Sequence, residues 1–442
     1  MSTEKIDLIE KELKLKEIAE YEIFLRDKAV YETIFLKDKS ANEREINDFE
    51  YFIRILSQKD NETGVGVVKG NSLKKNDIER MIDNALKLSK INVGPKYYFP
   101  HAQSLRSLEN VDKSIVKDPI GVKNDLKEQL ISEIKQQKGI TPTFGRFRIH
   151  HYNKYLRNNN HLDLKAANTF FFIEFSLKAQ KEENLAEYWT VNYYKEKEHL
   201  NFEERVKKWA DIAKETLRAE IPKPNSNAIV IFPPHILRLA LNPVIGFHSS
   251  GQASYEKISR FELNTKISTD NFTLIDDGLL KGALNSSSWD GEGNAHQRTE
   301  IIHNGIFKNK LYDQKYSILE NTSSTGNGNR ALNGTIINSV SNFQIPTGDI
   351  SLDEMISNIE EGYYIEKFSW LNPDDISGFF GAEIRNGWFI KNGRIKNPIK
   401  LGNISGNIFD MLKNVLYISK EREFSENTQF PYIAFSNLTV SS

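Results

Sequence analysis

Ile221-Pro222-Lys223-Pro224-Asn225-Ser226-Asn227 separates two stretches of sequence with different patterns. Its prolines forbid helix and its polar residues offer nothing to a core, so the spacing predicts a linker. Before it, helix and strand patterns alternate; after it, short alternating runs and tight turns dominate. The fold class that follows is α+β with two domains. Residues 1–222 form an N-terminal α+β domain, a sheet backed by helices, and 228–442 a largely antiparallel β domain with a few helices.

In the first half, a charged helix is predicted over 4–19, then alternating segments at 21–25 and 31–36, and strands at 51–56 and 64–70. Asn76 with Glu79 three residues on has the spacing of a capping box, and Ile78, Ile82, Ala85 and Leu86 share one helical face. A helix over 123–137 and strands at 144–151, 169–177 and 187–194 follow. Phe202, Val206, Trp209, Ala213 and Leu217 then make the stripe of a helix over 202–219, with Asn201 and Glu204 as its capping box. In the second half a buried strand at 228–232 and a helix after Pro233-Pro234 come first. Asn304-Gly305 and Asn392-Gly393 each join two alternating runs, the strongest short-range hairpin signal. A helix near 408–415 interrupts the strands.

The chain of 442 residues fits two domains. It has no cysteine, which excludes disulfides, thiolate metal sites and cysteine nucleophiles. Lys plus Arg is 59 against 60 Asp plus Glu, a balance without the electrostatic footprint of a nucleic-acid binder. No apolar run approaches the roughly 18 residues of a membrane-spanning helix, and no signal-peptide pattern opens the chain. A soluble, cytoplasmic protein is expected.

No local motif supplies a catalytic centre. His296, Glu300 and His303 would share a face on a helix, but the pattern there is a strand, which sends residue 303 to the opposite face from 296 and 300. Without a bulge they cannot converge on an ion. Phe144 to His151 interleaves basic and aromatic residues, as a single-strand nucleic-acid platform would; the plainer reading is a half-buried strand with Phe147 and Ile149 inward and Arg146, Arg148 and His150 outward. Gly64-Val65-Gly66 and Gly326-Asn327-Gly328 lack the Lys-Ser/Thr of a phosphate loop. The first reads as a strand glycine pair, the second as a turn at the edge of a cleft.

Several segments, in order, carry a family resemblance: Phe272 to Asp277, Asp290-Gly291-Glu292-Gly293 with Arg298-Thr299, Ile302 to Ile306, Gly326 to Arg330, Ser377 to Phe380, Gly387 to Ile395 and Ile404 to Asn407. Together they resemble the TldD/PmbA family, also called modulator of DNA gyrase, and specifically its TldE (PmbA) type. The resemblance implies a subunit of a zinc metallopeptidase acting on small or unfolded polypeptides. In the TldD type the zinc is held by a His-Glu-x-x-x-His helix and a C-terminal Cys; the TldE type is similar in fold and lacks them. Here the matching stretch is Leu241 to Phe247, with Asn242 and Phe247 where the two His would stand and Pro243 where the Glu would stand. Phe offers no lone pair, Asn is a poor zinc ligand and Pro cannot act as a base.

The expectation is a non-catalytic chain that holds no zinc of its own, completes a TldD-like partner carrying the zinc as a heterodimer, and helps to hold an extended peptide by strand addition. A homodimer of the isolated chain is the other assembly considered. His248, Asp290, Glu292, Arg298, Asn327 and Arg330 are the candidate cleft or substrate-binding residues. Two competing readings are a peptidase in its own right, using His248, Asp290 and Glu292, and a nucleic-acid or topoisomerase-associated binder.

Overall fold

The computed structural model describes residues 2–442. Helix α1 (Ser2–Leu15) leads into a meander of long strands, β1 (Tyr21–Leu36), β2 (Lys39–Lys59) and β3 (Glu62–Gly70). After α2 (Lys75–Ile91), β4 (Val93–Pro95), α3 (Lys113–Lys117) and α4 (Pro119–Gln136) come β5 (Ile140–Asn158), β6 (Asp163–Lys181) and β7 (Asn184–Tyr194). These strands form one seven-stranded antiparallel sheet in the order β4-β3-β2-β1-β5-β6-β7. Helix α5 (Phe202–Thr216) closes the first half.

The two faces of this sheet have different neighbours. In β1, Tyr21, Ile23 and Leu25 point with Tyr51, Ile53 and Ile55 of β2 into a core that includes Ile6, Ile9 and Leu13 of α1 and Ile78 and Ile82 of α2. Phe147 and Ile149 of β5 pack likewise in the core beneath α4 and α5. The alternate residues face the second half: Phe24, Phe52 and Leu156 form a cluster with Trp289. Burial on both faces explains why 21–25 is a continuous buried run.

The segments 21–25 and 31–36 are therefore one strand of 16 residues. The intervening Arg26 and Asp27 are satisfied by Glu50 across the ladder and by Lys5 of α1. His150, expected to face outward, is 7% exposed and stacks on Phe170 with ring centroids 4.5 Å apart, because the outward face of β5 is covered. Neither expected capping box forms. α2 begins at Lys75, which leaves Asn76 inside its first turn. Asn201 does precede α5, but it adopts a left-handed backbone and its amide donates to Glu204 at 2.6 Å instead of its oxygen accepting from the helix. α5 also ends at Thr216, short of Ala219.

The second half begins with β8 (Asn225–Phe232), which starts inside the stretch read as a linker, and α6 (Pro234–His248). Its sheet has 11 strands and is antiparallel except where 361–368 runs beside β8 and 343–344 beside 428–429. β8 pairs with both 361–368 and 428–441, so the strand path returns on itself around a core that takes in Leu237, Leu241 and Val244 of α6. Both Asn-Gly hairpins form as expected. Asn304 and Gly305 have φ of 46° and 78°, and Asn392 and Gly393 have 51° and 68°, the left-handed pair that a two-residue turn requires. Among the described residues no helix is long and apolar enough to cross a membrane.

Candidate functional site

Two glycine-containing turns of the second half meet the buried face of the first sheet. Asp290 organises them: its Oδ1 accepts from the N–H groups of Glu292 and Asn294, both at 2.9 Å, and its Oδ2 from that of Gly328 at 2.8 Å. Gly291 N–H donates to Gly328 O at 2.6 Å, zipping the two turns together. A Cβ on Gly291 would lie 2.6 Å from Arg330 N, so this contact needs glycine. Burial and the neighbouring Glu292 push the Asp290 carboxyl up, against the pull of its three N–H donors.

Glu292 faces the other way. Its Oε1 accepts from the Tyr97 hydroxyl at 2.7 Å and its Oε2 from Gln314 N–H at 2.9 Å, with Arg54 Nη1 at 3.7 Å. Arg54 in turn donates to the Tyr97 oxygen at 2.8 Å and pairs with Glu22 at 3.4 Å. Arg330 completes the knot. It donates to Gly291 O at 3.0 and 2.7 Å, pairs with Glu22 and lies over the Phe24 ring at 4.6 Å. Glu292 and Arg330 thus tie the second half to β1 and β2. Burial, foremost, keeps the Tyr97 phenol protonated far above its usual range.

Asn327 donates to Asp276 Oδ2 at 2.7 Å, and Ser341 supplies Asp276 with a backbone and a hydroxyl donor. Burial raises the Asp276 carboxyl to about 6 despite these donors. The unfolded chain ionises this group near pH 4, whereas the folded chain keeps its proton to about 6, so stability falls as pH rises between those values and is level above. The size of the fall is at most about 3 kcal/mol. Urea midpoints of the wild type and Asp276→Asn from pH 4 to 7 should converge or cross over that window; a gap between them that is independent of pH would refute the assignment.

The six candidate residues do not form one site. Asp290, Asn327 and Arg330 line a common cavity against the first sheet, and Glu292 is turned away behind it. Arg298 has a side chain 54% exposed, 3.9 Å from Asp277. His248, at the end of α6, is 1% exposed; its Nε2 donates to Ile376 O and its Nδ1 accepts from Arg260 N–H, both at 3.0 Å. With both ring nitrogens held by backbone, and burial lowering its pKa, His248 is a neutral packing residue. It is joined to neither Asp290 nor Glu292, so the peptidase trio of His248, Asp290 and Glu292 is not assembled.

The expected geometry of the 296–303 stretch also changes. The strand covers Arg298–His303, and a bulge between Glu300 and Ile302 brings His303 Nδ1 to 3.1 Å from Glu300. His296 precedes the strand and packs instead against Gly278 at the cavity. At 328–330, the surface expected to take an added strand, one edge is paired with 336–338, and on the other Gly328 O accepts from Gly291 N–H.

On α6, Asn242 Nδ2 reaches Asn427 Oδ1 at 3.5 Å, while its own Oδ1 is buried without a partner among the described residues. The helix runs through Pro243, and Gly246 lies against Val340, with Val340 Cγ1 2.9 Å from where a Cβ would stand. Asn242, Pro243 and Phe247 do not fit a zinc ion, since neither Phe247 nor Pro243 has a side-chain donor atom and an amide such as Asn242 is a poor zinc ligand. Among the described residues no group of three His, Asp or Glu side chains converges to hold a metal. The features that pattern reading missed are on the first sheet: Arg26, Tyr152 and Lys154 line the cavity from its alternate face. Their signal was the run of polar and aromatic residues at even positions of β1 and β5.

The second half, with its closed sheet and α6, matches the family model of the PmbA/TldA metallopeptidase C-terminal domain over residues 225–442. The chain belongs to the TldD/PmbA family. It is 28% identical over 80% of its length to an uncharacterized protein of Methanocaldococcus jannaschii, covering 81% of that protein. It is 30% identical to a zinc metalloprotease TldD homolog of Saccharolobus solfataricus over 46% of each chain, so the match spans less than half of that relative. TldE from Thermococcus kodakarensis has the same fold, with a TM-score of 0.87 at 19% identity, covering 98% of this chain and 100% of that one.

Proposed function

We propose that this chain is a non-catalytic, TldE-like subunit that completes a TldD-like zinc peptidase acting on small or unfolded polypeptides. The observation that carries the reading is α6. Where the family resemblance implies two imidazoles and a carboxylate base, the helix presents Asn242, Phe247 and Pro243. A zinc peptidase needs ligands with lone pairs and a base beside the bound water, and this helix supplies neither. The zinc belongs, on this reading, to a partner of TldD type, in a cytoplasmic heterodimer whose chemistry the present chain shapes without performing it. The domain division at 222–228 is part of the same proposal: the first domain meets the second through the Glu292–Tyr97–Arg54 relay, which holds the glycine turns in fixed register.

The test is peptidase activity with bound zinc quantified, on this chain alone and mixed with a TldD-like chain from the same source. The expected result is substoichiometric zinc and no hydrolysis alone, and hydrolysis in the mixture above that of the partner by itself. Chelator-sensitive hydrolysis with stoichiometric zinc in this chain alone would overturn the proposal.

A further inference from the structure

The cavity between the first sheet and the glycine turns measures about 310 Å³, at the small end of ligand sites and enough for about one side chain with its backbone. Its polar equipment is unbalanced. Lys154 of β5 lines it with Nζ 5.7 Å from the centre of the Trp289 ring, and among the described residues no carboxylate oxygen lies within ion-pair distance of that ammonium. The acid that shares the cavity, Asp290, spends both oxygens on backbone N–H groups. Arg26, opposite Lys154 in the ladder, also lines the wall but is paired with Glu50, a carboxylate it shares with Lys69. Ser287, 4% exposed and in the same wall, has a buried hydroxyl with no hydrogen-bond partner among the described residues. An unpartnered ammonium and an unpartnered hydroxyl beside one cavity are costs unless a ligand completes them.

The side of the cavity around Lys154 is aromatic, while amide and hydroxyl groups such as Asn168, Asn285 and Ser341 line the rest. Phe24 meets Trp289 edge to face at 6.3 Å, and Tyr152 stacks on Phe170 at 5.4 Å, all four bordering the cavity. Among the described residues Lys154 is the lining cation without a carboxylate partner, which calls for a monoanion, and the rings beside it call for an apolar body. We infer that the cavity takes a carboxylate borne on an apolar, aromatic-sized side chain, the C-terminal residue of a peptide, with the carboxylate on Lys154 and the side chain against Trp289 and Phe170. A free amino acid has the same carboxylate, but it brings an ammonium next to Lys154 and Arg26, which the blocked nitrogen of a peptide avoids. Assigning the ligand to a peptide rests on the peptidase-subunit reading; capture of the carboxylate does not.

The test is calorimetric titration of the full chain, without partner, with N-acetyl-L-phenylalanine, N-acetyl-L-phenylalaninamide and L-phenylalanine. The capped acid should bind at least about tenfold more tightly than the amide, the size of one charge-assisted contact. Lys154→Met should abolish that preference and Lys154→Arg retain it. Equal binding of acid and amide, or no binding of either at millimolar concentration, overturns the carboxylate site on the wild-type protein alone, whether or not the variants fold. Free phenylalanine binding as tightly as the capped acid overturns the peptide source. These readouts need neither partner nor hydrolysis, so an inactive mixture in the peptidase assay fails the subunit reading and leaves the carboxylate result standing.

Discussion

Glu292→Ala is expected to destabilise the protein by about 3–5 kcal/mol, the cost of breaking a buried, hydrogen-bonded charge cluster from one side. The side chain is 1% exposed and serves three partners at once. Its loss leaves the Tyr97 hydroxyl without an acceptor and Gln314 N–H without a partner, each a desolvation cost of about 1–3 kcal/mol. Arg54, 4% exposed, keeps the Tyr97 oxygen but is left with Glu22 at 3.4 Å as its carboxylate partner, one it shares with Arg330. Glu292→Gln retains one acceptor oxygen and should lose about half as much. Arg298→Ala, at an exposed side chain, should stay within about 0.5 kcal/mol of wild type. The measurement is urea unfolding followed by near-ultraviolet circular dichroism. Because Glu292 joins the two halves, the loss should appear in the first transition. An alanine variant as stable as wild type would mean that Tyr97 and Arg54 do not depend on this carboxylate.

That relay also shows where pattern reading stops. Local signals settled local structure: the two Asn-Gly turns carry the left-handed pair of residues that their composition demands, and the stripe from Phe202 to Ala213 lies in the core as its period implies. Nothing in a single strand tells whether its second face meets water or another layer. Arg146, Arg148 and His150 alternate with Phe147 and Ile149 and therefore read as a solvated face, yet His150 is buried and Lys154 two residues further along that face borders a cavity. Charges in mid-strand, such as Arg26 and Asp27, suggested a break because their partners, Glu50 and Lys5, are far away in sequence. The candidate site was legible in part for the same reason. The Asp-Gly-Glu-Gly and Gly-Asn-Gly turns are recognisable as turns, and Asp290, Asn327 and Arg330 do share a cavity. That Glu292 turns toward Tyr97, and that His248 is enclosed by backbone partners, depends on contacts made across the whole chain.

Gly66→Ala, which adds a single methyl group, is expected to be strongly destabilising. Gly64 and Gly66 sit two apart on β3 and so share one face, and α2 lies directly on that face. A Cβ at Gly66 would stand 1.8 Å from Ala85 O and one at Gly64 1.6 Å from Ser89 O, where real side chains do not come within 3 Å. The obstructing atoms are helix backbone, not the end of a flexible side chain, so relief requires moving α2 as a body. That shift would open the packing of Ile78, Ile82 and Ala85, all buried in the core shared with Tyr51 and Ile53. Overpacking typically costs about 1–3 kcal/mol, and a displaced helix adds lost burial of roughly 1.5–3 kcal/mol for each large side chain uncovered. A loss of about 4 kcal/mol or more is therefore expected for Gly66→Ala, with Gly64→Ala similar. Gly94 provides the internal control, since a Cβ there meets nothing within 4 Å; Gly94→Ala should be close to neutral. Hydrogen exchange of the α2 amides separates this account from a general effect of replacing glycine in a strand. Gly66→Ala should accelerate exchange along 75–91 selectively, because the helix is what the new methyl displaces. Unchanged protection of α2 in a destabilised Gly66→Ala protein would show that the close approach of helix and strand is not what the glycine pair secures.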